Sequence, residues 1–240
     1  MWFLTSHAIA GLVLTTLVSV SAATLDTKQA PPGTLSCVIG EAWIGSQPLN
    51  EKSAGSAALS EGQLLRTGDG TVEVILAPDV YMGVAKDSSV RIVSLKPINV
   101  GVEVRQGQAM VEVGARRNPV AIRVLEHDAT AQLLKKGLYE FDAEQSQFLV
   151  FKGEVAVQQG SKRVVAASGR RVTLNFAGEL SASKFNKKEF ERADLYRFSS
   201  MRSNYLAEVN TFQWESYYWP GWRGSGRHGG GRWWRRWAWI

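Results

Sequence analysis

Only one cysteine, Cys37, occurs in the chain, so no internal disulfide staples the fold, and stability has to come from buried apolar surface. An oxidising compartment is permitted but not signalled. Cys37 follows Thr34-Leu35-Ser36, a poor lipidation context far from the N-terminal apolar run. It reads as a small apolar residue opening a strand. Histidine is nearly as scarce, with His7, His127 and His228 far apart in sequence. No His/Cys cluster has metal-ligand spacing, and no Gly-x-Ser-x-Gly, Walker or dinucleotide-binding pattern occurs. Glu126-His127-Asp128 are consecutive in an expected strand-to-strand turn, where their side chains diverge into a solvated polar loop. Leu65-Arg66-Thr67-Gly68-Asp69-Gly70 is glycine-rich, but no helix follows to offer its N-terminus to a phosphate. Carboxylate pairs for glycan hydrolysis meet only in the fold, and nothing in the sequence points to one. The expectation is a non-enzymatic protein with no metal and no cofactor.

Met1 to Ala23 has no Lys, Arg, Asp or Glu. Ile9 to Val20 is apolar apart from Gly11, Thr15, Thr16 and Ser19, and small residues follow it. Residues 1–23 therefore read as a signal peptide cleaved after Ala22 or Ala23. The alternative is an uncleaved membrane anchor, although the run is short against the ~20 residues that span a bilayer. Thr24 to Thr34 is a polar spacer containing Pro31-Pro32-Gly33.

From residue 35 to 178 the pattern is strand after strand. Val100, Val102 and Val104 alternate with polar or small residues, as do Val111 and Val113, and Ile122 and Val124 around an outward Arg123. Period-two alternation predicts sheets with one buried and one wet face. Turn signals recur every 8–12 residues or so, which favours a sandwich or roll over βαβ units. Gly68-Asp69-Gly70, Lys86-Asp87-Ser88 and Gln159-Gly160-Ser161 are the expected tight turns. Gly40-Glu41-Ala42-Trp43-Ile44, Gly107-Gln108-Ala109-Met110-Val111 and Gly153-Glu154-Val155-Ala156-Val157 form a weak repeat, joined by second glycine turns at Gly62 and Gly169. A glycine ahead of each strand suits a turn of positive φ, and repetition suggests stacked β layers. The alternative is that Gly-Glu-Val is simply a common strand opening. The predicted fold is thus mainly β: an antiparallel sandwich or roll of many short strands with possible stacked repeats.

Residues 183–212 read as one helix packed on the β domain. Phe190, Leu195, Phe198, Met201, Tyr205, Leu206 and Val209 recur at spacings near three and four, with Ser183 or Asn186 as cap. The last segment, 213–240, holds seven of the nine tryptophans and five arginines, with Glu215 as its only acid. Much of the chain's net charge of +6 sits there. Its spacing fits neither helix nor strand, so it reads as an irregular Trp/Arg/Gly-rich tail. Arginine forks suit phosphate and carboxylate, and tryptophan stacks on sugars and favours membrane interfaces. Trp219, Trp222, Arg223, Trp233, Trp234, Arg235, Arg236 and Trp237 are the expected contact residues. The expected partner is an anionic envelope surface or polymer: lipid headgroups, lipopolysaccharide or peptidoglycan. Nucleic acid fits by charge and stacking, but export disfavours it. The other reading folds the tail back over an apolar patch.

Gly33 to Leu174 resembles the FecR domain. The residues that carry the resemblance are Gly33 to Ala42, then Leu59-Ser60-Glu61-Gly62-Gln63-Leu64-Leu65-Arg66-Thr67-Gly68-Asp69-Gly70 leading into Val72 to Leu76, then Ser88 to Ile92 and Val150 to Val157. The resemblance implies an extracytoplasmic β module that, in iron-dicitrate regulators, relays transporter occupancy to a sigma factor. The expectation is that the regulators' cytoplasmic domain and transmembrane helix are not part of this plan, and the helix plus Trp-rich tail resemble the stand-alone secreted branch of FecR-domain proteins. Two functions follow as expectations: an exported envelope binding or scaffold protein, periplasmic or extracellular, or a periplasmic signalling module acting through a membrane-bound anti-sigma partner. An envelope protein is a further candidate partner.

Overall fold

The computed structural model describes residues 30–114, 120–174, 180–190 and 193–199. Strand β1 (Leu35–Ile44) turns back through the short β2 (Gln47–Leu49). The longest strand, β3 (Leu64–Ala77), pairs antiparallel with β1 along most of its length. Its remaining partners divide by position. Leu64 to Arg66 pair with β5 (Ser89–Lys96), and Val72 to Ala77 pair with β4 (Val80–Val84).

Two limbs extend from this divided strand. The first runs through β5, β6 (Asn99–Gln106), β8 (Ala121–Glu126), β9 (Ala129–Leu133), β12 (Glu154–Gln159) and β13 (Lys162–Ala167). The second runs through β4, β7 (Gln108–Val113), β10 (Gly137–Asp142), β11 (Gln147–Lys152), β14 (Arg170–Leu174) and β15 (Leu180–Lys184). Among the described residues every pairing is antiparallel except β6 with β8. At the far ends β13 lies beside β14 and β15, so the sheet curls into a flattened, nearly closed barrel. This is the mainly β roll that the alternation predicts.

The chain fills the limbs by turns. Hairpin β5–β6 joins the first limb, β7 the second, β8–β9 the first, β10–β11 the second, β12–β13 the first and β14–β15 the second. The glycine repeat marks these changes of limb. Gly107 between β6 and β7, and Gly153 between β11 and β12, have φ of 68° and 103°. Such angles strain any residue with a Cβ. At Gly153 a Cβ would also overlap the Tyr139 hydroxyl. Tyr139 is buried, and that hydroxyl donates to Lys135 O at 2.6 Å and accepts from Glu154 N at 3.0 Å, locking the corner.

Alternation supplies the core. Val100, Val102 and Val104 of the first limb face inward with Ile122, Val124, Val155 and Val157. Val111, Val113, Tyr139, Phe141, Phe148 and Val150 face them from the second. Phe141 and Phe148 pack edge to face at 5.1 Å. Each fully buried aliphatic or aromatic side chain contributes roughly 1.5–3 kcal/mol against the entropy of ordering the chain.

Two sequence expectations are corrected here. Gly68-Asp69-Gly70 is no turn but the middle of β3, where the strand crosses a bulge in β1. A Cβ on Gly70 would meet the carbonyls of Ile39 and Glu41, so the glycine serves close backbone approach. The boundary at 183 also moves, because β15 continues the sheet through Lys184, paired with β14. Asn186 then caps a 3-10 turn, Lys187–Glu189, and residues 194–199 are helical. Phe185, Phe190, Leu195 and Tyr196 cover Phe151, Leu149, Met110 and Ala85 on the outer face of the second limb. The Phe151 ring meets Phe185, Phe190 and Tyr196 at 5.3, 5.8 and 4.8 Å. The signal-like stretch, residues 200–212 of the expected helix and the tail lie outside the described residues. Among the described residues no helix is long and apolar enough to cross a membrane.

Gly153→Ala is expected to destabilise by ~1–2 kcal/mol from its φ and by a further ~1–3 kcal/mol from the overlap with Tyr139. Gly55→Ala, also at positive φ but with open space around its Cβ position, bears only the first cost. Urea unfolding of the two variants measures the difference.

Candidate functional site: a polar trough on the first limb

The residues that point away from the core on the first limb line an open trough of about 530 Å3. Period-two geometry puts Arg123 of β8 outward between Ile122 and Val124, and Thr130 and Gln132 of β9 outward between buried Ala129, Ala131 and Leu133. In β12, Ala156 and Gln158 take the same side, and Arg163 of β13 lies opposite Gln158. Register joins them into rows across four strands. Arg123 pairs with Gln132, Gln132 with Ala156, and Ala156 with Val165. Ala156 is the shortest side chain of that row, and Arg123 and Arg163 line the trough on the strands at its two sides.

Arg123 is held in place, since its Nη2 donates to Asn99 Oδ1 of β6 at 2.9 Å. Arg163 has no acidic partner among the described residues. The neighbouring cations on this limb are differently placed: Arg91 lies 2.6 Å from Glu103, and Arg105 lies 4.0 Å from the same carboxylate. Asp128 closes one end of the trough, with its Oδ1 accepting from Gln159 Nε2 at 2.8 Å. The site therefore offers two guanidinium forks, side-chain amides, a hydroxyl and one carboxylate.

Behind the trough lies a second polar feature. The turn at Glu126-His127-Asp128 forms as expected, with His127 at φ 52°. Its expected solvation is corrected: Glu126 is fully buried, because as the last inward position of β8 it follows Ile122 and Val124 into the interior. Among the described residues neither of its carboxylate oxygens has a hydrogen-bond partner, and His127 Nδ1 stands 3.9 Å from Oε1. Desolvation, with the nearby Asp142 charge second, pushes the Glu126 carboxyl up to about 8. The same two causes push Glu140, buried on β10, up to about 7. Asp142 itself is buried but well supplied, accepting from Gln108 Nε2 at 2.8 Å and from the amides of Glu144 and Gln145 at 3.1 and 2.9 Å. Among the described residues no group of three or more His, Cys, Asp or Glu is arranged to hold a metal ion.

The expected contact residues, Trp219, Trp222, Arg223, Trp233, Trp234, Arg235, Arg236 and Trp237, all lie outside the described residues. Of the trough residues, sequence reading singled out only Arg123 as outward-facing. Their assembly depends on β9 pairing with β12 across an intervening hairpin, and no local pattern signals that.

No family model matches the chain, and no curated protein matches it. Among solved structures, two crystal structures of a candidate anti-sigma factor from Parabacteroides distasonis, at 2.50 and 1.65 Å resolution, align with TM-scores of 0.45 and 0.44, each at 17% identity. The alignments cover 53% and 51% of this chain, and 63% and 60% of those chains. This chain thus spans less than two thirds of the length of either neighbour.

The buried carboxyls set a pH dependence. Folded Glu126 and Glu140 hold protons that the unfolded chain releases above the ordinary value of 4.5. Their contribution to stability is complete below that value and declines as pH rises towards 7 and 8. Glu126→Gln keeps the shape without the ionisation. It is expected to flatten the decline and, at pH 8, to be more stable than the parent by on the order of 2–4 kcal/mol. Urea midpoints between pH 5 and pH 8.5 check this, and parallel curves for parent and variant would refute the assignment.

Proposed function

We propose that this chain is an extracytoplasmic, non-enzymatic binding module of the FecR-domain type. In this reading the nearly closed β barrel recruits a ligand on the outer face of its first limb, and the Trp/Arg-rich tail holds the protein to an anionic envelope surface. The observation that carries the reading is the trough itself, an open polar face lined by Arg123 and Arg163, the first of them oriented by Asn99. The reading takes this face to bind, since its groups offer hydrogen bonds and charge suited to an anionic, polar ligand. Export rests on the signal-like character of residues 1–23, and surface contact rests on the tail's arginines and tryptophans. The FecR resemblance also carries a signalling reading, in which the domain relays envelope state to a membrane-bound anti-sigma partner.

One experiment tests the anchor. The exported protein, and a variant carrying Trp233→Ser, Trp234→Ser, Arg235→Ser, Arg236→Ser and Trp237→Ser, are sedimented with isolated peptidoglycan and with anionic liposomes at low and high salt. The parent is expected to pellet, and to do so less at high salt. The variant is expected to lose about tenfold or more of that binding. Equal pelleting of the two forms would remove the tail from the function and leave the signalling reading.

A further inference from the structure

Resting on that reading, we infer that the trough between Arg123 and Arg163 is a binding site for an acidic polysaccharide, a linear glycan bearing carboxylates. Three features of the lining point to this class.

The first is charge at two separated points. Arg123 and Arg163 stand on strands three steps apart in the sheet, roughly 15 Å between backbones at the usual strand spacing. A ligand meeting both has to be extended and to carry anionic groups along its length. Guanidinium forks match carboxylates bidentately, and the bond from Arg123 to Asn99 leaves the rest of its fork free for one.

The second is what lies between the arginines. Gln132, Gln158 and Thr130 each donate and accept hydrogen bonds, and Asp128 has an oxygen beyond the one engaged by Gln159. Hydroxyl groups of a sugar also donate and accept, so they use every one of these groups. An acidic peptide would satisfy the arginines and offer backbone donors and acceptors, but it lacks the several hydroxyl groups per unit with which a glycan meets Thr130, Gln132, Gln158 and Asp128 together.

The third is what the lining omits. Among the described residues no aromatic side chain lines the trough, and the aliphatic side chain in line with Ala156, Val165, is 53% exposed rather than a buried anchor of the kind on which protein partners depend. The lining includes Ala156 and Gly160, whose small size leaves room for a hydrated polymer.

The test is calorimetric titration of the full-length exported protein with three hexamers: an oligouronate, its neutral counterpart cellohexaose, and hexaglutamate. Arg123 and Arg163 are surface residues, so Arg123→Ser and Arg163→Ser leave the core intact. The oligouronate is expected to bind, the other two to bind at least about tenfold more weakly, and each arginine variant to lose about tenfold in oligouronate affinity. Gln132→Ala is expected to lose severalfold without any change in salt dependence. Hexaglutamate binding as well as oligouronate would overturn the proposal in favour of an acidic protein segment. Oligouronate binding that survives both arginine substitutions, or that disappears in the tail variant instead, would overturn it as well. The two readings fail separately: trough variants that still pellet with envelope surfaces leave the anchor standing, and a tail variant that still binds oligouronate leaves the trough standing.

Discussion

The architecture depends on one strand belonging to two limbs. β3 is long enough that its first residues pair with β5 and its last with β4, and from that division the sheet extends both ways. A strand of ordinary length would serve one neighbour on that side and give a flat sheet with an apolar face exposed. Because β3 bends across the bulge opposite β1, the two limbs fold towards each other, and their inward valines and phenylalanines close a single core. The close contact of Gly40 and Gly70 at that crossing is a backbone requirement set by this geometry.

The limbs treat their outer faces differently. On the second limb the outer face is apolar at Met110, Leu149 and Phe151, and the segment after β15 covers it. On the first limb the outer face around the trough is mostly arginine, glutamine and threonine, with Val93 and Val165 exposed beside them. One face is thus covered by the chain's own sequence, and the other, among the described residues, is exposed to solvent. The buried carboxyl of Glu126 lies just inside the open face, at the end of β8. Burial raises the pKa of this carboxyl, as it raises that of Glu140 on the second limb, so both limbs carry a group that responds to protons.

Much of the fold was legible in the residues. Val100, Val102 and Val104 announce an inward face, and the structure buries all three. The glycines of the repeat announce positive φ, and Gly40, Gly62, Gly107, Gly153 and Gly169 all have it. Glu126 misled, because a charged residue beside His127 and Asp128 reads as solvated, whereas strand phase puts it inside. Gly68 and Gly70 misled because a glycine pair signals a turn and a close strand crossing equally well. Ser181-Ala182-Ser183 has too little apolar content to read as a strand, and pairing with β14 decides it. The trough was illegible for a different reason: Gln132 and Ala156 are adjacent only because the chain leaves the limb and returns, and no one-dimensional pattern records that.

That habit of leaving and returning also governs how the molecule is made. β7 waits for β10, β9 for β12 and β11 for β14, so few strands meet the partner that completes their pairing until a later hairpin exists. Non-local closure of this kind is slow, since the entropy of closing each loop precedes its reward. A chain emerging from a ribosome or a membrane pore would hold no stable half-structure, and its native state would appear only when the final hairpins arrive to seal the seam beside β13.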